Sequence, residues 1–222
     1  MMALKAMTIA CRLQLLAIWI CWSGLVGSAQ SPAKRFHWDR RKSEEPTWSD
    51  SISRSKTLSA EDRAGLIEEF ASQFRPFMSK MGIKSEQELE EIIAKTRIRA
   101  VDLGGSSFKE FAALSGDDQS CSPTGNCEFW ILQQDGAKYS VILHRIATQT
   151  FTIQPTVTNG FHDLVLGQHG SATETGLTLY RFDGSKYRRI ACYDADWRSL
   201  GTDGEYHDLK EPRIIPTICS IR

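Results

Sequence analysis

Histidine and carboxylate spacing is the first place to look for chemistry in this chain. The five histidines are His37, His144, His162, His169 and His207. His162, Asp163 and His169 lie close together, and two imidazoles with a carboxylate are the donor set of a zinc site or of a His-Asp base. Strand alternation separates them. Residues an odd number apart point to opposite faces, so His162 and His169 diverge. Asp163 and His169 share a face but stand about 20 Å apart at roughly 3.3 Å per residue. They are weak metal candidates, expected as strand-end residues facing solvent. A secreted hydrolase or metal-dependent enzyme built on these histidines is the alternative reading.

Other chemistries lack their signatures. Gly104-Gly105-Ser106-Ser107 has neither the second glycine nor the following helix of a nucleophile elbow. Nothing matches a glycine-rich phosphate loop. Asp194, Asp196, Asp203, Glu205 and Asp208 crowd one segment, but their spacing is not that of an EF-hand, so a solvated acidic loop is expected. No catalytic residue and no cofactor is assigned. The side chains suited to recognition are Trp130, Tyr180, Arg181, Tyr187, Arg189 and Trp197, because tyrosine, tryptophan and arginine together are the mix that interfaces favour. The polar loop from Gly170 to Gly176 is the other place where contact is expected.

The elements that position these residues can be read from caps, periods and turns. Ser59 begins a helix, with Asp62 placed to answer it reciprocally. Leu66, Ile67, Phe70, Ala71 and Phe74 form its apolar stripe, which Pro76 interrupts. Ser85 with Glu88 starts a second helix buried through Leu89, Ile92 and Ile93. After Thr96 the period shortens. Ile98 to Val101 is extended, and Phe108 to Leu114 is strand or helical turn. Glu128 to Gln134, Asp135-Gly136 and Tyr139 to His144 form a hairpin. Thr150 to Ile153 is a strand that Gln154-Pro155 ends or edges. Asn159-Gly160 and Asp183-Gly184 are further turns around strands at 163–166, 177–182 and 187–193. Residues 194–212 read as loop, and Arg213 to Ile218 as an edge strand. Helices first and strands afterwards predict an α+β domain, a helix pair packed on one antiparallel meander sheet.

Compartment follows from the start of the chain and the cysteines. Lys5 and Arg12 precede the apolar run Leu13 to Leu25, and Gly27, Ser28 and Ala29 follow it. This is the layout of a signal peptide over 1–29, which makes the protein secreted or periplasmic with no membrane span after cleavage. Residues 30–58 read as a flexible leader and 59–222 as one domain; Trp38 and Trp48 in that leader invite the idea of a docking segment, but single apolar residues in a tail are too common to carry it. Cys121, Cys127, Cys192 and Cys219 allow three pairings. Cys121–Cys127 and Cys192–Cys219 are expected, the second stapling the tail and the fold as a whole. The 27 basic and 27 acidic residues balance, and losing Lys5 and Arg12 leaves 25 against 27. No concentrated basic surface invites nucleic acid.

The run Asn159-Gly160-x-x-Asp163-Leu-Val-Leu, then Leu179-Tyr180-Arg181-Phe182-Asp183-Gly184-x-x-Tyr187, resembles a pattern of uncharacterised exported bacterial proteins. It is also similar to single blades of FG-GAP or VCBS-type repeats. The resemblance covers about 35 residues. It implies one β-meander. It does not imply a propeller, because no second copy is present. The Asp-rich calcium loop of those repeats is missing too, so no calcium role comes with it. The sequence as a whole predicts a non-enzymatic exported domain that binds a protein or cell-envelope ligand. A structural envelope component is a further alternative.

Overall fold

The computed structural model describes Phe36, Trp38, Trp48 and residues 50–104, 108–116, 121–136 and 138–219. The expected signal segment, His37 and most of the expected leader lie outside the described residues. Helices come first: α1 (Ala60–Phe74), a 3-10 turn (Arg75–Phe77), α2 (Met78–Met81) and α3 (Glu86–Lys95). Nine strands follow among the described residues: β1 (Arg97–Val101), β2 (Glu110–Leu114), β3 (Cys127–Asp135), β4 (Lys138–Thr148), β5 (Thr150–Thr158), β6 (Phe161–Ser171), β7 (Glu174–Phe182), β8 (Tyr187–Leu200) and β9 (Tyr206–Thr217).

Local chemistry sets the helix ends. Ser59 Oγ accepts from the Asp62 amide at 3.0 Å and Ser85 Oγ from the Glu88 amide at 3.1 Å. Pro76 sits in the 3-10 turn that breaks the helical run, and Gly82, at φ +74°, closes α2. The Asp62 carboxylate turns to the sheet. It accepts from Lys109 Nζ at 2.7 and 2.9 Å and from Tyr139 Oη at 2.7 Å, which ties α1 to β4.

The expected α+β arrangement, with a helix pair on a single meander, is overturned. The protein is mostly β, and its strands divide into two antiparallel sheets, β1-β2-β3-β4 and β5-β6-β7-β8-β9. The reason lies in β2 and β3, which are apolar on both faces. Phe111, Ala113, Trp130 and Leu132 join Leu66, Phe70, Leu89 and Ile93 in a core under the helices. Ala112, Leu114, Phe129 and Ile131 face the other way, into a core with Phe151, Leu164, Leu166 and Phe182 of the second sheet. A strand buried on both sides needs two covering layers. The result is helix, sheet, sheet.

Several strand boundaries also differ. Residues 108–114, ambiguous in sequence, contain β2. The stretch read as loop over 194–212 is largely β8 and β9. Gln154-Pro155 does not end β5 but sits, as the edge alternative expects, on an edge strand, in the register shift between Ile153 and Val157 where a missing ladder donor is tolerated. The turn Asn159-Gly160 has φ of +50° and +85°, the pair a primed hairpin turn demands. Part of the expected leader belongs to the body. Ile52 is fully buried, Ser51 bridges to Arg97, and Arg63 donates to the carbonyls of Ile52 and Ser55. The structure contains two disulfides, Cys121–Cys127 and Cys192–Cys219. No helix among the described residues is long and apolar enough to cross a membrane.

Candidate functional site

The histidine and aspartate set does not assemble. Asp163 is buried and accepts from Thr156 Oγ1 at 2.8 Å, Thr158 Oγ1 at 2.7 Å and Arg181 Nε at 3.2 Å. The bulge of β5 brings both threonines round to it. His162 Nδ1 lies 2.6 Å from the Gln154 carbonyl. Both residues thus hold β5 on β6. His169, at the far end of β6, exchanges two backbone bonds with the Asn126 side chain, at 2.8 and 2.9 Å. His144 belongs to the other sheet, stacked on Trp130 and 3.3 Å from Glu128. Among the described residues no three His, Cys, Asp or Glu side chains converge as metal ligands.

The recognition set divides by burial. Trp130, Tyr180 and Tyr187 are buried; Tyr180 and Tyr187 pack the core between the sheets, and Trp130 also lines a hollow of about 490 Å³ with Phe74, Phe77 and Met81. Trp130 meets Phe70 and Phe74 edge to face at 5.3 and 5.8 Å. Tyr187 donates to the His162 carbonyl at 2.8 Å; burial, with the charges of Glu110 and Asp163, raises its phenol above the ordinary range. Burial also raises Tyr180, which the nearby Arg145 and Arg189 guanidiniums partly offset. Arg181 spends its charge on Asp163. Arg189 is exposed and lines a small cavity of about 180 Å³ with Arg145. Trp197 lines another large cavity, more polar than the one beside Trp130.

That cavity, of about 430 Å³, lies at the end of the second sheet where β6 turns into β7. The segment expected as a loop from Gly170 to Gly176 is strand, a tight turn at Ala172-Thr173, and strand. Trp197 falls at a register shift: Asp196 pairs with Arg213, but Arg198 pairs with Asp208. Trp197 therefore drops out of the β8–β9 ladder, and β9 bows outward opposite it over residues 209–212. Such irregularities re-aim side chains. The Trp197 amide donates to the Thr173 carbonyl at 2.9 Å and Arg198 Nη2 to Thr173 Oγ1 at 3.2 Å, which fixes the turn. Asp196 anchors the bow by accepting from the Arg198 amide and from Arg213, and these bonds hold its carboxyl below the usual range.

Trp38 completes the cavity. It is buried, meets Trp197 edge to face at 6.1 Å, and donates from Nε1 to Thr152 Oγ1 at 3.4 Å. The Trp197 indole N–H is likewise directed at Thr175 Oγ1, at 3.4 Å. With both N–H groups turned to threonines, the indoles offer carbon surface to the cavity. Ser171, Thr173 and Thr150 add hydroxyls, and Gln149, His169 and Asp208 add amide, imidazole and carboxylate. The arrangement can hold a molecule that is apolar on one face and rich in hydroxyls at its edge. Trp38 could not be assigned to it from sequence, since an isolated tryptophan in a polar stretch carries no period. Trp197 was legible as a type, though not by its place. No family model matches the chain, and no curated protein or solved structure is significantly similar to it.

Proposed function

We propose that this protein is an exported binding domain that holds an oligosaccharide of the cell envelope in the Trp38–Trp197 cavity. The observation that carries the reading is the pairing of two indoles with hydroxyl, amide, imidazole and carboxylate groups around one space. A pyranose ring has a C–H face that buries against indole and a hydroxyl rim that needs such donors and acceptors. The volume lies within the ordinary range of ligand pockets, about 300–1,000 Å³. Among the described residues Asp208 is the one carboxylate at the wall, whereas glycoside hydrolysis generally uses two. That favours binding over turnover. Export is supported by the signal-like start of the sequence and by two disulfides, which suit an oxidising compartment.

The test is a titration of the purified chain with soluble peptidoglycan fragments, followed by the indole N–H resonances in NMR spectra. Saturable shifts of Trp38 and Trp197 are expected. Trp197→Ala should raise Kd by about tenfold or more, the loss of an anchoring aromatic. Fragments that shift neither indole at millimolar concentration would remove the proposal.

A further inference from the structure

The loop closed by Cys121–Cys127 belongs to the first sheet, yet it grips the second through one side chain. Asn126 is 7% exposed. Its carboxamide donates from Nδ2 to the His169 carbonyl at 2.9 Å and accepts on Oδ1 from the His169 amide at 2.8 Å. A carboxamide carries a donor and an acceptor side by side, as a peptide unit does. The end of β5 shows why one is needed. β5 begins at Thr150, opposite Gly167 of β6, so no β5 residue stands beside His169 further along. Asn126 takes that place and pairs with β6 as a strand residue would.

The carboxamide is held from behind. Nδ2 also donates to Thr124 Oγ1 at 3.0 Å, and the Asn126 amide donates to Ser122 Oγ at 3.1 Å. The Ser122 amide returns a bond to the Asn126 carbonyl at 2.7 Å. Cys121 and Cys127 face each other in an isolated bridge joined by the disulfide, and Cys127 pairs with Thr148 at the end of β4.

What Asn126 grips is the wall of the Trp38–Trp197 cavity. His169 lines that cavity, as does Ser171, and β6 steps out of register with β7 between them. With the ladder interrupted there, the Asn126 pair fixes β6 immediately before the turn at Ala172-Thr173. Thr173 in turn takes the bonds from the Trp197 amide and from Arg198. Gly125 of the same loop lies against Gln149, another lining residue: a Cβ at Gly125 would stand 3.8 Å from Gln149 Nε2. Asn126 itself does not line the cavity.

We infer that Asn126 is a positioning residue of the saccharide cavity. Carried by the Cys121–Cys127 loop, it sets where His169 and the 171–173 turn stand against the indoles, and so sets affinity without touching the ligand. The inference rests on the saccharide reading.

Titration of Asn126→Ala and Asn126→Asp chains with the same peptidoglycan fragments, followed by NMR, tests it. Asn126→Asp keeps the shape but can no longer donate to the His169 carbonyl, so it removes half of the grip without opening a space. Both changes should raise Kd about fivefold or more. Both should also displace the Thr173 amide and Trp197 indole resonances of the free chain. A role confined to the loop would move resonances of 121–127 and lower Tm, but leave Kd as it was. Cys121→Ser with Cys127→Ser keeps the carboxamide and loosens its mount. That pair should raise Kd in the unaltered background and raise it no further in the Asn126→Ala background. The inference is overturned by a folded Asn126→Asp chain that binds as before, by Thr173 and Trp197 resonances that stay in place, or by effects of the two changes on Kd that simply multiply. Fragments that bind neither the unaltered nor the altered chains remove the saccharide reading instead, and the Thr173 and Trp197 resonances then decide whether Asn126 sets the cavity wall. If Asn126→Ala fails to fold, Asn126→Asp decides.

Discussion

At the scale of single residues, the buried carboxylates carry structure. Burial alone would raise Asp62, but hydrogen bonds from Lys109, Tyr139 and Ser59 outweigh it and lower its pKa from 3.8 to about 2. A depressed folded-state value means that the stabilisation is present above 3.8 and is lost as pH falls from there through 2. The increment should be on the order of 1–2 kcal/mol, reduced because Lys109 is half exposed. Urea denaturation at pH 5 and pH 2 should show it, and Asp62→Asn should abolish that part of the difference. Asp163 gives a sharper test of role. Asp163→Ala would leave two threonine hydroxyls and Arg181 without their acceptor, costing about 2–4 kcal/mol of stability. Saccharide binding by the folded fraction should be unchanged. If binding vanished while stability held, Asp163 would belong to a site and not to the scaffold.

At the scale of elements, the two disulfides have unequal work. Cys192–Cys219 closes a separation of 27 residues and holds the end of β9, an edge strand, against β8. Cys121–Cys127 closes a separation of six. Loop-closure entropy assigns about 3–4 kcal/mol to the first and about 2 kcal/mol to the second. The pair of changes Cys192→Ser and Cys219→Ser should cost more stability than the corresponding change at Cys121 and Cys127. Amide protection should fall first in β9, measured by hydrogen exchange. Because Asp208 and Leu209 of β9 line the Trp38–Trp197 cavity, saccharide affinity should fall with it. Unchanged protection in β9 would show that strand pairing alone holds the edge.

At the scale of the whole molecule, the three-layer order makes an uncommon demand on β3. Ile131 and Leu132 are adjacent, point to opposite faces and are both fully buried. Ile131→Ala and Leu132→Ala should each cost about 2–4 kcal/mol in urea denaturation. With one covering layer, one of the two would be tolerated. This is where the sequence reading of a single meander failed. Alternation marks two faces but is silent on which is covered when both are apolar, as in Phe129, Trp130, Ile131 and Leu132. The hairpin expected to turn on Asp135-Gly136 is present, but Asp135 stays paired with Lys138 and the turn comes after it. What the sequence determined by itself was local: the caps at Ser59 and Ser85, the break at Pro76, and the turns at Asn159-Gly160 and Asp183-Gly184. Each of these depends on backbone preferences within about four residues, so each is written in the chain where it acts. The types suited to recognition were legible too, but not their exposure. The divergence of His162 from His169 already followed from strand alternation. Only the tertiary structure decided that Trp130, Tyr180 and Tyr187 are buried and that Trp38 meets Trp197 in one cavity. Those outcomes rest on contacts between distant residues, such as the bond from Trp38 to Thr152 across 114 positions, and no local preference encodes them.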